Sequence, residues 1–280
     1  MEKVPVKYES SDGLILKGDG YGNPANPPLI LLHGGGQTRY SWGAAAKEIA
    51  EAGWHTINMD LRGHGESEWS AMADYSLDSF VGDLKVIIDS LSRKPVVVGA
   101  SMGGMTALIC EGETKESVMR GLVLVDITPR IEYAGVTRII NFMTRNPEGF
   151  GTLEEVADAV ASYIPERPCP QNLEGLKRNL RIRPDGRYVW HWDPNFITNI
   201  MDSRETWAER LLKAAGNLTL PTLLIRGNKS DVVSKEGVIE FRKVVAQAKY
   251  VDINEATHMV VGDQNTVFSH AVIEFIKKLP

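Results

Sequence analysis

The sequence predicts an α/β fold in which a mostly parallel sheet is covered by helices on both faces. Short apolar runs closed by glycine or proline, such as "PPLILLHGGG" and "KPVVVGAS", are typical of strands buried on both faces. Helical segments separate these runs, and regular alternation of the two favours parallel strands joined by crossover helices. The 280 residues, 43% of them hydrophobic, are enough for one large core with an insertion.

Residues 1–128 supply the first six strands and the helices between them. The helical segment "SLDSFVGDLKVIIDSLS" places its apolar side chains on one face. The pair "VKYE" and "LILKGDG", separated by the turn-forming "SSDG", predicts two strands in succession. The remaining predicted strands of this part are carried by "PPLILL", "WHTINMD", "KPVVVGA" and "RGLVLVD", and the remaining helices by "SWGAAAKEIAEA" and "MGGMTALICEGE".

The pattern changes at residues 129–220, which we call the inserted segment. This part is rich in proline and predicts a helical cap placed after the sixth strand. Its candidate helices are "GVTRIINFMTR", "TLEEVADAVASYI", "QNLEGLKRNLRI" and "SRETWAERLLKAA". Strand and helix signals alternate again over residues 221–280, which complete an eight-stranded sheet. We therefore expect two parts of one core, 1–128 and 221–280, with the cap between them.

Composition excludes several classes of function. The net charge of −5 gives no basic footprint for nucleic acid. Cys110 and Cys169 have no paired spacing, so neither a disulfide framework nor a zinc site is expected. The N-terminus lacks an apolar signal region, and no apolar run reaches the roughly 18 residues of a membrane span. We expect a cytoplasmic protein without metal, cofactor or membrane partner; its oligomeric state stays open.

The strongest chemical signal is "VVVGASMGG", in which Ser101 lies between Gly99 and Gly103. A valine-rich strand ends there and a helix begins at once, so the chain must turn sharply, and small residues on both sides leave room for the turn. The start of the helix adds free backbone N–H groups and a positive dipole end. Gly-x-Ser-x-Gly alone is a weak signal, but this strand–turn–helix context predicts a serine nucleophile.

A serine nucleophile needs a base and a carboxylate that orients the base. Of the six histidines, His258 is the best candidate for the base because it follows a late strand in "NEATHMVVGD". Asp231, in "LLIRGNKSDVV", is the favoured carboxylate, and Asp126 at the end of the sixth strand is the rival. A tetrahedral oxyanion also needs donors. The expected ones are the backbone N–H groups of Gly35 and Met102.

The oxyanion prediction has one alternative. The run "HGGG" ends the third strand, and Gly36 is a possible substitute for Gly35 as a donor. His33 and His64 lie in glycine-rich loops, where imidazoles often hold the backbone through hydrogen bonds. Neither is therefore predicted to act as the base.

Taken together, these motifs resemble the α/β-hydrolase superfamily in its capped serine-hydrolase branch. The matching pieces are "LLHGGG", "DLRGHGES", "VGASMGG", "IRGNKSDVV" and "ATHMVVGDQNTVFSHAVIEFI". That branch includes carboxylesterases, cofactor-free haloperoxidases, carbon–carbon bond hydrolases and epoxide hydrolases. Because position 101 is serine, the aspartyl mechanism of the epoxide hydrolases is disfavoured. The role of the "DLRGHGES" loop in the family is usually structural.

The expected activity is hydrolysis of small to medium apolar carboxylic esters through an acyl-serine. Two alternatives stay open. In the first, the same residues catalyse a different reaction, namely hydrolysis of lactones or of vinylogous diketones, or perhydrolysis. In the second, the protein is a non-catalytic ligand receptor on this scaffold. The aromatic residues of the inserted segment either pack the cap on the core or line an apolar pocket. Trp190, Trp192 and Phe142 are the candidate lining residues.

Overall fold

The computed structural model describes residues 2–163, 173–263 and 265–280. The side chains of residues 201–205, 262, 263 and 265 are not part of that description. Cys169 and the prolines at 165, 168 and 170 therefore lie outside the described residues.

An eight-stranded sheet forms the centre of the protein and confirms the predicted fold class. Its strand order is β1-β2-β4-β3-β5-β6-β9-β10, with β7 and β8 in a separate two-stranded hairpin. Strands β1 and β2 form an antiparallel pair and β2 runs antiparallel to β4, whereas all later pairings in the sheet are parallel. The strands are β1 (Val4–Glu9), β2 (Ile15–Tyr21), β3 (Pro28–Leu32), β4 (His55–Met59), β5 (Val96–Ala100), β6 (Gly121–Val125), β7 (Leu180–Ile182), β8 (Tyr188–Trp190), β9 (Thr222–Gly227) and β10 (Lys249–Ile253).

Helices cover both faces of this sheet. On one face, Ile49 of the first helix packs with Phe268 and Val272 of the last. On the other face, Phe80 and Leu108 belong to a larger apolar cluster that extends into the inserted segment. The α-helices are α1 (Gly43–Glu51), α2 (Leu77–Asp89), α3 (Met102–Gly112), α4 (Tyr133–Thr144), α5 (Leu153–Tyr163), α6 (Pro194–Gly216), α7 (Lys235–Val244), α8 (Val260–Asp263) and α9 (Asn265–Ile276). No helix in the described part of the chain is long and apolar enough to cross a bilayer.

The central strands are buried on both faces, which explains why they appear in the sequence as continuous apolar runs. Val96, Val97 and Val98 of β5 have no exposed surface. Local capping fixes where several helices begin. The Ser76 side chain accepts a hydrogen bond from the Ser79 N–H at the start of α2. The parallel pairing of β3 to β6, β9 and β10 places the carboxyl ends of these strands, and the loops that follow them, along one edge of the sheet.

The inserted segment departs from the purely helical prediction. It leaves the sheet after β6 and returns at β9, its neighbour, and it contains the β7–β8 hairpin between α5 and α6. Residues 171–182, predicted as a helix, instead form a 3₁₀ helix over Leu173–Asn179 followed by β7, with 171 and 172 outside the described residues. The hairpin turn contains Gly186 at φ +83°, a conformation that favours glycine. Helix α6 begins at Pro194, nine residues earlier than predicted, because Asp193 caps it.

Candidate active site

Ser101 stands in a strained turn between β5 and α3. Its φ of +46° is rare for a residue with a side chain, and its backbone N–H donates to the Val125 carbonyl of the neighbouring strand at 3.1 Å. Gly99 and Gly103 make the turn possible. A Cβ on Gly99 would lie 2.4 Å from the Gly103 carbonyl oxygen, and one on Gly103 would lie 2.5 Å from the Leu32 carbonyl oxygen. The structure therefore supplies the physical reason for glycine on both sides of the serine.

His258 pairs with Asp126. Its Nδ1 lies 2.6 Å from Asp126 Oδ2, and the Asp126 side chain is 1% exposed. That carboxylate also accepts from the Gly227 N–H at 3.0 Å and from the Ser230 hydroxyl at 2.5 Å. Because a carboxylate only accepts, Nδ1 of His258 carries the proton, and Nε2 is left as the free basic nitrogen.

The sheet order explains how Asp126 reaches His258. Asp126 follows β6 and His258 follows β10, with β9 between these strands. Strand β9 ends in Gly227, where a Cβ would lie 2.3 Å from the Thr257 carbonyl oxygen. The absence of a side chain at this position lets the loop that carries His258 fold over the end of β9 toward Asp126.

The prediction that Asp231 orients His258 is corrected by this geometry. Asp231 lies in the loop after β9, as expected, but its carboxylate pairs with Arg138 of α4 at 3.0 Å. Both side chains are partly exposed, 33% and 54% respectively. The rival candidate, Asp126, occupies the position next to the imidazole. The chain order serine, aspartate, histidine is the same with either carboxylate.

Gly35 and Met102 are the predicted oxyanion donors. Both line the same cavity as Ser101. Among the described residues, neither backbone N–H donates to another group. The alternative donor, Gly36, is occupied, because its N–H donates to His64 Nε2 at 3.0 Å. The structure therefore favours Gly35 over Gly36 as the partner of Met102.

Two buried histidines hold this glycine loop. His33 Nδ1 lies 2.8 Å from the Gly34 carbonyl oxygen, and His33 Nε2 accepts from the Leu61 N–H at 3.0 Å. Because a trans peptide points its C=O and N–H in opposite directions, the bond from His33 to Gly34 directs the Gly35 N–H away from His33. Burial lowers the pKa of His33 to about 4 and the pKa of His64 to about 3. Both imidazoles are therefore neutral and keep one acceptor nitrogen.

Ser101 and His258 line one cavity of about 130 Å³ between the sheet edge and the inserted segment. Within the described residues no hydrogen bond joins the two side chains. Their shared position in the lining of this cavity is the evidence that they belong to one site. The other walls are mostly apolar. They include Met105, Ile127, Ile131, Val136, Ile139, Ile140, Phe142, Met143, Tyr163, Ile200, Trp207, Val232 and Met259. No described residue of the lining carries a carboxylate, ammonium or guanidinium group.

The predicted lining residues separate into two groups. Phe142 lines the cavity, whereas Trp190 and Trp192 are absent from its described lining. Trp190 and Trp192 stack on each other with ring centroids 5.0 Å apart and are 9% and 4% exposed. They pack the inserted segment, with Trp190 lying behind Phe142 at a centroid distance of 5.4 Å.

Comparisons with known proteins identify the family to which the chain belongs. Residues 27–264 match the family model described as alpha/beta hydrolase fold, and the chain belongs to that family. Esterase Rv0045c of Mycobacterium tuberculosis is 28% identical over 258 residues, which cover 90% of this chain and 82% of that protein. The sn-1-specific diacylglycerol lipase ABHD11 of Mus musculus is 26% identical over 285 residues, covering 99% of this chain and 86% of that protein.

Solved structures show the same fold. E-2-(acetamidomethylene)succinate hydrolase superposes with a TM-score of 0.86 at 19% identity, covering 99% of this chain and all of that one. A structure of the M. tuberculosis esterase Rv0045c superposes with a TM-score of 0.76 at 23% identity, covering 99% of this chain and 92% of that one. The resemblance inferred from the sequence motifs is confirmed at the level of family and fold.

Proposed function

We propose that this protein is a serine hydrolase of carboxylic esters, with Ser101 as nucleophile, His258 as base and Asp126 as the carboxylate that orients the base. The observation that carries the proposal is the Asp126–His258 hydrogen bond, made in the same cavity that Ser101 lines. The strained serine turn and two unoccupied backbone donors support it. The names of the family relatives, an esterase and a lipase, point to the same chemistry.

In the proposed reaction, Nε2 of His258 takes the proton of the Ser101 hydroxyl as the oxygen attacks the ester carbonyl. The negative charge that develops on the carbonyl oxygen is held by the N–H groups of Gly35 and Met102. His258 then gives its proton to the departing alcohol oxygen, and an acyl-serine remains. Water, deprotonated by His258, attacks the acyl-serine, and His258 then gives this proton to the departing Ser101 oxygen as the acid is released. Asp126 stays ionised and stabilises the imidazolium in both steps.

The size and apolar lining of the cavity favour an ester substrate with a neutral acyl chain of small to medium length. Its described walls carry no charged side chain, so a substrate carboxylate would be buried without a partner at a cost of several kcal/mol. Two arginines of the inserted segment form ion pairs outside the cavity. Arg138 pairs with Asp231 and Arg130 pairs with Glu240 at 2.7 Å. We infer that the inserted segment acts as a cap that supplies the apolar wall. A cytoplasmic location remains a prediction from the sequence.

The proposal is tested by active-site labelling together with an ester panel. We expect a fluorophosphonate to attach to Ser101 and to abolish hydrolysis of p-nitrophenyl butyrate. Ser101→Ala should remove both labelling and turnover while its thermal unfolding stays that of the wild type. Lactones, a vinylogous diketone and peroxide are assayed in parallel. Attachment of the fluorophosphonate at another residue, or retained turnover in Ser101→Ala, would overturn the assignment of Ser101 as nucleophile. Binding of the esters by the wild type without turnover would favour a ligand receptor.

A further inference from the structure

The glycine loop after β3 is held by a third histidine, which comes from the inserted segment. His191 Nε2 lies 3.3 Å from the Gly36 carbonyl oxygen, and its Nδ1 accepts from the Gly65 N–H at 2.8 Å. The bond from Gly65 assigns the acceptor role to Nδ1, so the proton is on Nε2 and is donated to Gly36. His191 therefore bridges the loop after β4 and the loop after β3.

Three consecutive peptide units of the loop are thus each held by a different imidazole. His33 donates to the Gly34 carbonyl, His64 accepts from the Gly36 N–H, and His191 donates to the Gly36 carbonyl. Glycine has more accessible backbone conformations than any other residue, so a run of three needs outside restraint to hold one geometry. Gly36 has φ +74°, a conformation that favours glycine.

The surroundings of His191 fix its position and keep it neutral. It is 1% exposed, and burial together with the neighbouring His64 and His33 rings lowers its pKa well below the usual value. Its carbonyl accepts from Trp69 Nε1 at 3.3 Å, and its N–H donates to the Asn179 carbonyl at 3.1 Å. A neutral ring is what the bridge requires, because a protonated imidazole has no acceptor for the Gly65 N–H.

We propose that His191 is a positioning residue that couples the seating of the inserted segment to the geometry of the oxyanion hole. By fixing the Gly36 peptide, it completes the restraint on the loop that carries Gly35, the proposed oxyanion donor. The inference rests on the proposed function, since it concerns transition-state stabilisation at that site. It predicts that the inserted segment contributes a hydrogen bond to catalysis in addition to the apolar wall of the cavity.

The test compares His191→Ala and His191→Gln with Arg181→Gln as the matched control. Arg181 is a second side chain of the inserted segment on the same core loop. It donates to the Gly65 carbonyl at 3.0 Å, and no hydrogen bond joins it to Gly36 in the described part of the chain. Loss of an oxyanion donor costs about 10²–10³ in kcat, so a displaced donor in His191→Ala should cost about 10–100-fold. Glutamine can accept from Gly65 and donate to Gly36, so His191→Gln should recover most of this loss.

The readouts separate positioning from a purely structural role. In His191→Ala, kcat for p-nitrophenyl butyrate should fall while KM changes less than about threefold. The reason is that the hydrogen bonds from the backbone donors to the substrate oxygen strengthen only in the transition state. Affinity for a trifluoromethyl ketone, which forms a tetrahedral oxyanion on serine, should fall in parallel with kcat/KM. Arg181→Gln should lower the melting temperature and leave kcat within about twofold of the wild type.

Several outcomes would overturn the inference. One is a folded His191→Ala with wild-type kcat. Another is an Arg181→Gln loss as large as that of His191→Ala, and a third is no recovery in His191→Gln. If the alanine variant does not fold, His191→Met fills the space without hydrogen bonding and replaces it in the comparison with glutamine. Wild-type protein that neither hydrolyses esters nor is labelled would instead refute the proposed function.

Discussion

The buried neutral histidines make the protein sensitive to acid, and His64 carries a large part of this effect. Its pKa of about 3 in the folded protein lies far below the ordinary value of 6.5. Between these values the unfolded chain binds a proton at this residue and the folded chain does not. The contribution of neutral His64 to the free energy of unfolding is therefore fully present above about pH 6.5 and is lost progressively as the pH falls toward 3.

The size of the effect follows from the same two values. Each pH unit below 6.5 removes about 1.4 kcal/mol, so His64 alone lowers the free energy of unfolding by about 2 kcal/mol at pH 5. His33, with a pKa of about 4, contributes about the same amount, and His191 acts in the same direction. Domains of this kind are stable by about 5–15 kcal/mol, so the loss is a large share of the total.

Urea unfolding of the wild type and His64→Gln at pH 8 and pH 5 tests this contribution. At pH 8 the difference between the two proteins reports only the lost packing and hydrogen bonds. By pH 5 the wild type should lose about 2 kcal/mol more than the variant, because glutamine does not titrate. A wild-type-to-variant difference that stays constant to within about 0.5 kcal/mol across this range would refute a neutral, buried His64.

Three other substitutions test separate parts of the structure. Gly103→Ala forces a Cβ to 2.5 Å from the Leu32 carbonyl oxygen, so thermal unfolding should show a loss of about 2–4 kcal/mol. Trp207 also lines a neighbouring apolar cavity of about 380 Å³, and Trp207→Ala should raise the decanoate-to-butyrate rate ratio about tenfold. Asp83 holds the buried Arg62 through bonds of 2.6 and 2.7 Å, and Asp83→Asn should cost about 3–5 kcal/mol in urea unfolding.

Each of these expectations has a contrary result. Wild-type stability in Gly103→Ala would contradict the close packing of the serine turn on β3. An unchanged chain-length profile in Trp207→Ala would show that removing this side chain does not give longer acyl chains access to the neighbouring cavity. A loss below about 1 kcal/mol in Asp83→Asn would mean that the second partner of Arg62, Asp12 at 3.1 Å, or water compensates the guanidinium.

The fold and the serine turn were predictable because their signals are local. Strands buried on both faces must be continuous apolar runs, and a sharp strand-to-helix turn requires glycine at 99 and 103. The loops that follow parallel strands meet at one edge of the sheet, which is enough to bring together candidates such as Ser101 and His258. Such inferences need only periodicity, turn chemistry and chain order.

The choice between Asp231 and Asp126 needed information that the sequence pattern does not contain. Both follow strands of the same edge, and both satisfy the order serine, aspartate, histidine. The loop after β9 decides between them, because Ser230 donates to Asp126 while Asp231 turns out to Arg138 of the inserted segment. Arg138 gave no periodic signal that would predict this pairing.

The inserted segment was the least predictable part for a similar reason. Its aromatic density indicates burial but not which rings face the cavity, so Phe142 could not be separated from Trp190 and Trp192. The β7–β8 hairpin consists of two three-residue strands, too short for a period to show. His191 meets Gly36 across a separation of 155 positions, and only the folded chain brings them together.

The pair Asp126→Asn and Asp231→Asn tests the proposed active site most directly. Asparagine at 126 would favour the wrong tautomer of His258, so kcat for p-nitrophenyl butyrate should fall by about 10³–10⁴ in a folded protein. Asp231→Asn removes only a partly exposed ion pair and should leave kcat within about twofold of the wild type. The reverse pattern, with activity lost in Asp231→Asn and kept in Asp126→Asn, would contradict the account.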